Sequence, residues 1–101
     1  MKMIINGKKY DTETAKMVGR YNNGYYIGDY NYEKEELYLK KTGEFFLYGC
    51  GGALSNYASY YGDMRSSGSD ITPLTLEEAK KWAMKHMDGD EYEEVFGPVE
   101  E

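Results

Sequence analysis

Two short runs of mostly leucine and aromatic residues lie on either side of residues 41–43, and they make this the best-specified segment of the chain. Gly43 provides the left-handed backbone that the last position of a three-residue hairpin loop requires. The pattern predicts a hairpin over residues 36–48 whose largely aliphatic face is core, while rings on its other face are either covered as well or exposed as an aromatic patch. The predicted pairs are Lys40 with Glu44, Leu39 with Phe45, Leu37 with Leu47, and Tyr38 with Phe46.

An Asn-Gly pair at residues 6–7 separates two short strand-like runs near the N-terminus. Asn-Gly is the strongest short signal for a two-residue hairpin turn, so we expect an N-terminal hairpin. Residues 12–18 fit either a two-turn helix capped by Asp11 or Thr12, or a strand that continues to Tyr21. The threonine-rich start and the turn residues that follow Tyr21 favour the strand.

The middle of the chain predicts one short helix and one loop. Glycines at residues 49, 51 and 52 end the predicted hairpin, and apolar side chains then recur at helical spacing over residues 53–61. Residues 62–70 are small and polar, which predicts a mobile loop.

The clearest helix signal is a capping box, with Thr75 as the N-cap and Glu78 three residues later. We expect this helix to end before Gly89, and a further turn over residues 91–96 to be stopped by the Gly97-Pro98 pair. That turn offers Tyr92, Val95 and Phe96 as an apolar anchor. The face of the main helix that we expect to pack on the sheet carries Leu76, Ala79, Trp82, Ala83, His86 and Met87.

These elements predict an α+β fold in a single domain over residues 1–101. The expected architecture is an antiparallel sheet of about five strands, with a short middle helix and a C-terminal helix packed on one face. The chain contains 101 residues, which is enough for one core. No run approaches the roughly 18 apolar residues of a membrane span, so we expect a cytoplasmic protein without a membrane partner.

Charge is distributed unevenly. Seven of the 18 acidic residues and none of the 12 basic residues lie in the acidic C-terminal segment, residues 88–101, which leaves that segment at −7 and residues 1–87 at +1. Such a segment repels nucleic-acid phosphate and attracts basic protein surfaces. Alternatively, the acidic C-terminal segment is only a solvated tail that keeps the protein soluble.

The chain offers few residues for catalysis. It has one histidine and one cysteine, and we expect His86 to pack on Trp82 and Cys50 to be a loop thiol. The glycines at 49, 51 and 52 lack the Lys and Ser/Thr ending of a phosphate-binding loop, and residues 88–91 lack the ligand spacing of a calcium loop. We therefore expect no enzyme, no cofactor and no metal site.

Tyrosine is the unusual residue of this composition. Ten of the 12 tyrosines lie in residues 21–61, more rings than one small core can enclose, so some of them are expected on the surface. Exposed tyrosines suit protein interfaces, whereas base stacking works beside a basic groove, and residues 21–61 carry a net charge of −2. The alternative is that these rings only cover the strands. The residues predicted to bind a partner are Tyr21, Tyr25, Tyr26, Tyr30, Tyr32, Asp88, Asp90, Glu91, Glu93 and Glu94.

Several segments resemble a group of small proteins encoded by phages and mobile elements of Gram-positive bacteria. The resemblance runs nearly end to end and is carried by residues 4–15, 36–38, 41–49, 51–55 and 71–75. Some proteins of this size and origin act as anti-CRISPR inhibitors of Cas9-type nucleases. The resemblance implies this genomic context, and it transfers no catalytic or binding residue to the chain.

Together these features predict a non-enzymatic protein-interaction module from a mobile element. Its expected partner is a host protein, for example a CRISPR nuclease whose basic channel complements the acidic segment. The alternative is a weak single-stranded nucleic-acid binder that uses a tyrosine-rich face, although the scarcity of cations disfavours direct nucleic-acid binding.

Overall fold

The computed structural model describes all residues 1–101, which form eight strands and two helices. The elements are β1 (Lys2–Ile5), β2 (Lys8–Asp11), β3 (Lys16–Asn22), β4 (Glu33–Leu39), β5 (Phe45–Gly51), β6 (Ser59–Tyr61), β7 (Met64–Ser66), β8 (Gly68–Leu74), α1 (Leu76–His86) and α2 (Gly89–Phe96). The fold is α+β. Its main sheet has four antiparallel strands in the order β3-β4-β5-β8, and β1-β2 and β6-β7 form two further two-stranded sheets.

The hairpin β4-β5 has the predicted register. Leu39 pairs with Phe45, Leu37 with Leu47 and Tyr38 with Phe46. Gly43 has the expected positive φ of 91°, and the Lys40 ammonium lies 3.2 Å from the Glu44 carboxylate. Leu37 and Phe46 are fully buried, on opposite faces of the sheet, because both faces are covered.

The two helices cover the Leu37 face. Thr75 caps α1, and the predicted capping box with Glu78 is confirmed. Ala79 and Ala83 are fully buried against this face, but Leu76 is half exposed, so its predicted place in the core is wrong. Leu76 is the first helical residue, and it begins α1 before the helix lies over the sheet.

The second helix, α2, starts earlier than predicted. Gly89 does not end α1 but is the first residue of α2, because Asp88 forms a second capping box with Glu91. Gly97 ends α2 with a φ of 91°, as expected from the Gly-Pro pair. Val95 and Phe96 pack against the Leu37 cluster, and the Phe96 ring lies 5.3 Å from that of Phe45.

The N-terminal hairpin β1-β2 covers the opposite face, and its predicted Asn-Gly turn is confirmed. Asn6 and Gly7 have φ angles of 52° and 76°. Tyr10 from β2 meets Phe46 edge to face, with the ring centroids 5.6 Å apart. The favoured strand after this hairpin is also confirmed, although it begins only at Lys16 and residues 12–15 form a turn.

Two predictions for residues 53–70 are wrong. Residues 53–57 form turns rather than a helix, and Ser59–Tyr61 is strand β6. Residues 62–70 are not a loop, because Met64–Ser66 pairs with β6 and residues 68–70 pair with the glycine-rich end of β5. Neither helix is long and apolar enough to cross a membrane.

Candidate interaction surface and cleft

The segment that directly follows the glycine-rich end of β5 packs against the loop over residues 23–32. The Gly52 amide donates to the Tyr32 carbonyl at 2.8 Å, and the Leu54 amide donates to the Tyr30 carbonyl at 2.7 Å. A Cβ on Gly52 would overlap the backbone carbonyl of Asp29. Gly52 is therefore required because the loop over residues 23–32 lies directly against this segment.

Asparagine and aspartate side chains hold the loop over residues 23–32 in shape. The Asn23 amide group donates to the Asn31 carbonyl at 2.7 Å, and its oxygen accepts from the Glu33 amide at 3.1 Å. The Asp29 carboxylate accepts from the Asn31 amide at 2.8 Å. These bonds satisfy the backbone locally and leave the apolar side chains of the loop outside, namely Tyr25, Tyr26, Ile27 and Tyr30.

The β6-β7 hairpin contributes a second group of exposed apolar side chains. Gly62 forms its turn with a φ of 60°, and Tyr60, Tyr61 and Met64 are exposed beside it. The Arg65 guanidinium lies 5.1 Å from the centroid of the Tyr60 ring and donates to the Tyr60 hydroxyl at 3.0 Å. This contact orders one of the rings.

An open cleft of about 760 Å³ lies between the two segments. One wall is formed by residues 27–32 and the other by residues 65–69, with Tyr48, Cys50 and the backbone of Gly51 between them. We call the exposed apolar side chains of these two segments the aromatic rim, and two of them, Ile27 and Tyr30, line the cleft itself. Its members are 50% to 88% exposed and comprise Tyr25, Tyr26, Ile27, Tyr30, Tyr60, Tyr61 and Met64.

The tyrosines predicted to bind a partner fall into three environments. Tyr25, Tyr26 and Tyr30 belong to the aromatic rim, and Tyr32 is half-buried and lines the cleft. Tyr21 lies elsewhere, with its ring 4.0 Å from that of His86 beneath α1. Four of the five tyrosines therefore lie on the loop over residues 23–32, and two of them, Tyr30 and Tyr32, line the cleft.

The acidic residues predicted to share this surface lie on α2 or at its N-cap. Asp88 and Glu91 form the capping box, and a Glu93 oxygen accepts from the Val99 amide at 2.9 Å, while Asp90 and Glu94 are exposed. The helix runs to Phe96, which contacts the first residue of β5, whereas the cleft lies at the last residues of that strand. The end of α2 and the aromatic rim thus occupy opposite ends of the sheet.

Sequence reasoning missed the β6-β7 part of the rim. The sequence predicts a helix over residues 53–61, whereas Tyr60 and Tyr61 belong to strand β6, and the helix prediction gives no indication of the side on which these two rings lie. The available signal was Gly62, a turn residue directly after two tyrosines and before Met64.

Glu35 forms the main polar cluster under the helices. Its carboxylate accepts from the Trp82 indole nitrogen at 3.0 Å and, through the other oxygen, from the Tyr57 hydroxyl. Burial and this bond raise the pKa of Tyr57. His86 packs on Trp82 as predicted, with ring centroids 5.0 Å apart, and burial lowers the pKa of its imidazole although Glu35 lies 4.0 Å away.

Cys50 belongs to β5 and not to a loop, so that prediction is wrong. It is half-buried, pairs with Lys34 and Ser69, and lies in the floor of the cleft. Burial is the main cause that raises the pKa of Tyr48, and Cys50 adds to it. No group of three or more histidine, cysteine, aspartate or glutamate side chains is placed to hold a metal ion.

Comparisons with protein-family models, with curated proteins and with solved structures give no match to this chain.

Proposed function

We propose that this chain is a protein-interaction module that contacts its partner through the aromatic rim. One observation supports the proposal: seven large apolar side chains are exposed on two segments, the loop over residues 23–32 and the β6-β7 hairpin, that both contribute residues to one cleft. A small domain rarely exposes such a concentration unless another molecule covers it. Tyrosine adds the large contact area and small entropic cost that are typical of binding surfaces.

A protein partner fits this surface better than nucleic acid does. Arg65 is the only basic residue in the two rim segments, and its guanidinium is already bonded to Tyr60. Platforms that stack bases need a groove of cations beside the rings to follow the phosphates. The acidic side chains of α2 add long-range attraction to a basic partner, which acts on the association rate.

The resemblance to proteins of mobile elements suggests which partners to test first. We propose a host defence protein, with a CRISPR nuclease as the first example, because a nucleic-acid channel is a basic protein surface that the acidic chain complements. Binding there would inhibit the nuclease by occupying the channel.

Affinity capture with matched variants tests the proposal. The tagged protein is expressed in its host and compared with a Tyr26→Ser/Tyr61→Ser variant and with an Ile4→Ser control. Ile4 is an exposed apolar residue of β1 and is not part of the rim. We expect one protein to be retained by the wild type and by the control, and to be lost from the rim variant.

Two results would contradict the proposal. The first is a captured protein that the rim variant retains as well as the wild type does. The second is retention of single-stranded nucleic acid whose affinity falls steeply with salt, because that behaviour reports phosphate contacts.

A further inference from the structure

The chain contains two Asn-Gly pairs, Asn6-Gly7 in the β1-β2 turn and Asn23-Gly24 at the start of the loop over residues 23–32. Asparagine is chemically labile in such a pair, because the backbone nitrogen of the next residue attacks its side-chain carbonyl carbon. Glycine favours the attack because it has no side chain to hinder the approach. Both pairs have the same reactive atoms, so a difference in their reactivity comes from the structure around them.

Hydrogen bonds hold the reactive atoms of the second pair. The Gly24 amide nitrogen, which would attack, donates to the Asn22 side-chain oxygen at 2.9 Å. The Asn23 side-chain nitrogen, which would leave, donates to the Asn31 carbonyl at 2.7 Å. The Asn23 side-chain oxygen accepts from the Glu33 amide at 3.1 Å. The reaction at Asn23 therefore requires that these bonds break first.

The reactive atoms of the first pair have no such restraint. Asn6 is exposed, and its side chain takes part in none of the side-chain hydrogen bonds of the protein. Gly7 lies outside both strands, and its amide takes part in none of the backbone hydrogen bonds of the turns and loops. Only a local opening of the turn is then needed for the attack.

We propose that Asn6 is a site of spontaneous deamidation and that the hydrogen bonds of the loop protect Asn23. The Gly7 nitrogen loses its proton and bonds to the side-chain carbonyl carbon of Asn6, while the bond from that carbon to the amide nitrogen breaks and ammonia leaves. Water then opens the cyclic imide at either carbonyl and gives aspartate or isoaspartate. The net reaction consumes one water molecule and replaces a neutral amide with a carboxylate, so it needs no other reagent.

Isoaspartate adds one carbon atom to the main chain of the turn. The φ angles of 52° at Asn6 and 76° at Gly7 belong to a two-residue turn that places Ile5 opposite Lys8. A longer turn does not fit this register. The modification therefore loosens the hairpin whose β2 strand covers Phe46.

Peptide mapping of the purified full-length protein tests the inference. The protein is incubated at mildly alkaline pH, either folded or in guanidinium chloride, and trypsin then separates residues 3–8 from residues 21–34. Mass spectrometry measures the deamidated fraction at Asn6 and at Asn23. We expect Asn6 to react at least about tenfold faster than Asn23 in the folded protein, and the two rates to agree within about twofold in the denaturant.

A matched pair of variants tests the cause of the protection. Asn22→Ala removes the acceptor of the Gly24 amide and should raise the rate at Asn23 about threefold or more. Asn56→Ala, at an exposed asparagine outside the loop, should leave the rates at Asn6 and Asn23 unchanged. Anion exchange isolates the modified protein through its additional carboxylate, and this fraction should unfold at a lower urea concentration than the unmodified protein.

Three results would overturn the inference. The first is an equal rate at Asn6 and Asn23 in the folded protein. The second is a difference that persists in guanidinium chloride, because its cause would then be the local sequence. The third is an unchanged rate at Asn23 in folded Asn22→Ala. A modified fraction as stable as the unmodified protein would contradict the loosened hairpin. None of these measurements depends on the aromatic rim, so their failure would leave the proposed function standing.

Discussion

The Trp82 indole nitrogen on α1 donates a hydrogen bond of 3.0 Å to the Glu35 carboxylate on β4. The other Glu35 oxygen accepts from the Tyr57 hydroxyl, so one carboxylate connects the sheet, the helix and the turn that leads into β6. Because β6 carries rim tyrosines, Glu35 fixes the segment that precedes the proposed binding surface.

We expect Glu35→Ala to lower the free energy of unfolding by about 1–3 kcal/mol, because it leaves two partly buried donors without an acceptor. Glu35→Gln keeps an acceptor oxygen and should lose less. Urea unfolding measures both, with Glu77→Ala as an exposed control on α1. An unchanged midpoint for Glu35→Ala would show that the cluster adds nothing to stability.

Gly49 is the second support of the same turn. A Cβ at this position would overlap the Tyr57 ring, so Gly49→Ala should displace that ring and cost about 1–3 kcal/mol. The double variant Gly49→Ala/Tyr57→Ala should lose less than the sum of the single variants, because the ring that causes the overlap is gone. Gly89→Ala is the control, since open space surrounds that position. Additive losses would contradict the contact.

The elements that the sequence predicted well have local causes. The β4-β5 hairpin follows from Gly43 between two runs of leucine and aromatic residues, the N-terminal hairpin from Asn6-Gly7, and the start of α1 from Thr75 with Glu78. In each case the residues that determine the structure lie within a few positions of the structure itself. A short stretch of sequence is therefore sufficient to predict it.

The turn and strands over residues 53–70 could not be predicted because their causes are distant in the sequence. Tyr57 sits at helical spacing, but its ring packs over Gly49 and its hydroxyl binds Glu35. Residues 68–70 are small and polar, yet their backbone pairs with β5. The rim could be predicted only in its first half, because the position of Tyr60 and Tyr61 depends on this strand pairing.

Leu37 and Leu39 lie on the same face but differ in burial. Leu37 is fully buried and Leu39 only partly, so we expect Leu37→Ala to cost about 2–5 kcal/mol and Leu39→Ala clearly less. Chemical unfolding of both variants measures the difference. Equal losses would contradict the placement of the two side chains relative to the helices.

His86 should make stability depend on pH. Burial lowers the pKa of its imidazole from the ordinary value of 6.5, so the unfolded chain binds a proton more readily than the folded one. The stability that depends on a neutral His86 should therefore be fully present above pH 6.5, and the free energy of unfolding should decrease as the pH falls below that value. Urea midpoints between about pH 8 and about pH 5 measure this, and His86→Gln should flatten the dependence. An equal slope in the variant would assign the effect to other groups.

Site-specific photo-crosslinking in the host tests the central claim most directly. A benzophenone amino acid replaces Tyr26, Tyr61, Ile4 or Glu94 in separate variants; the last two are exposed positions on β1 and α2. We expect the same partner protein to be crosslinked from positions 26 and 61, and none from position 4. Crosslinks from position 4 or 94 without any from the two rim positions would contradict an interaction through the aromatic rim.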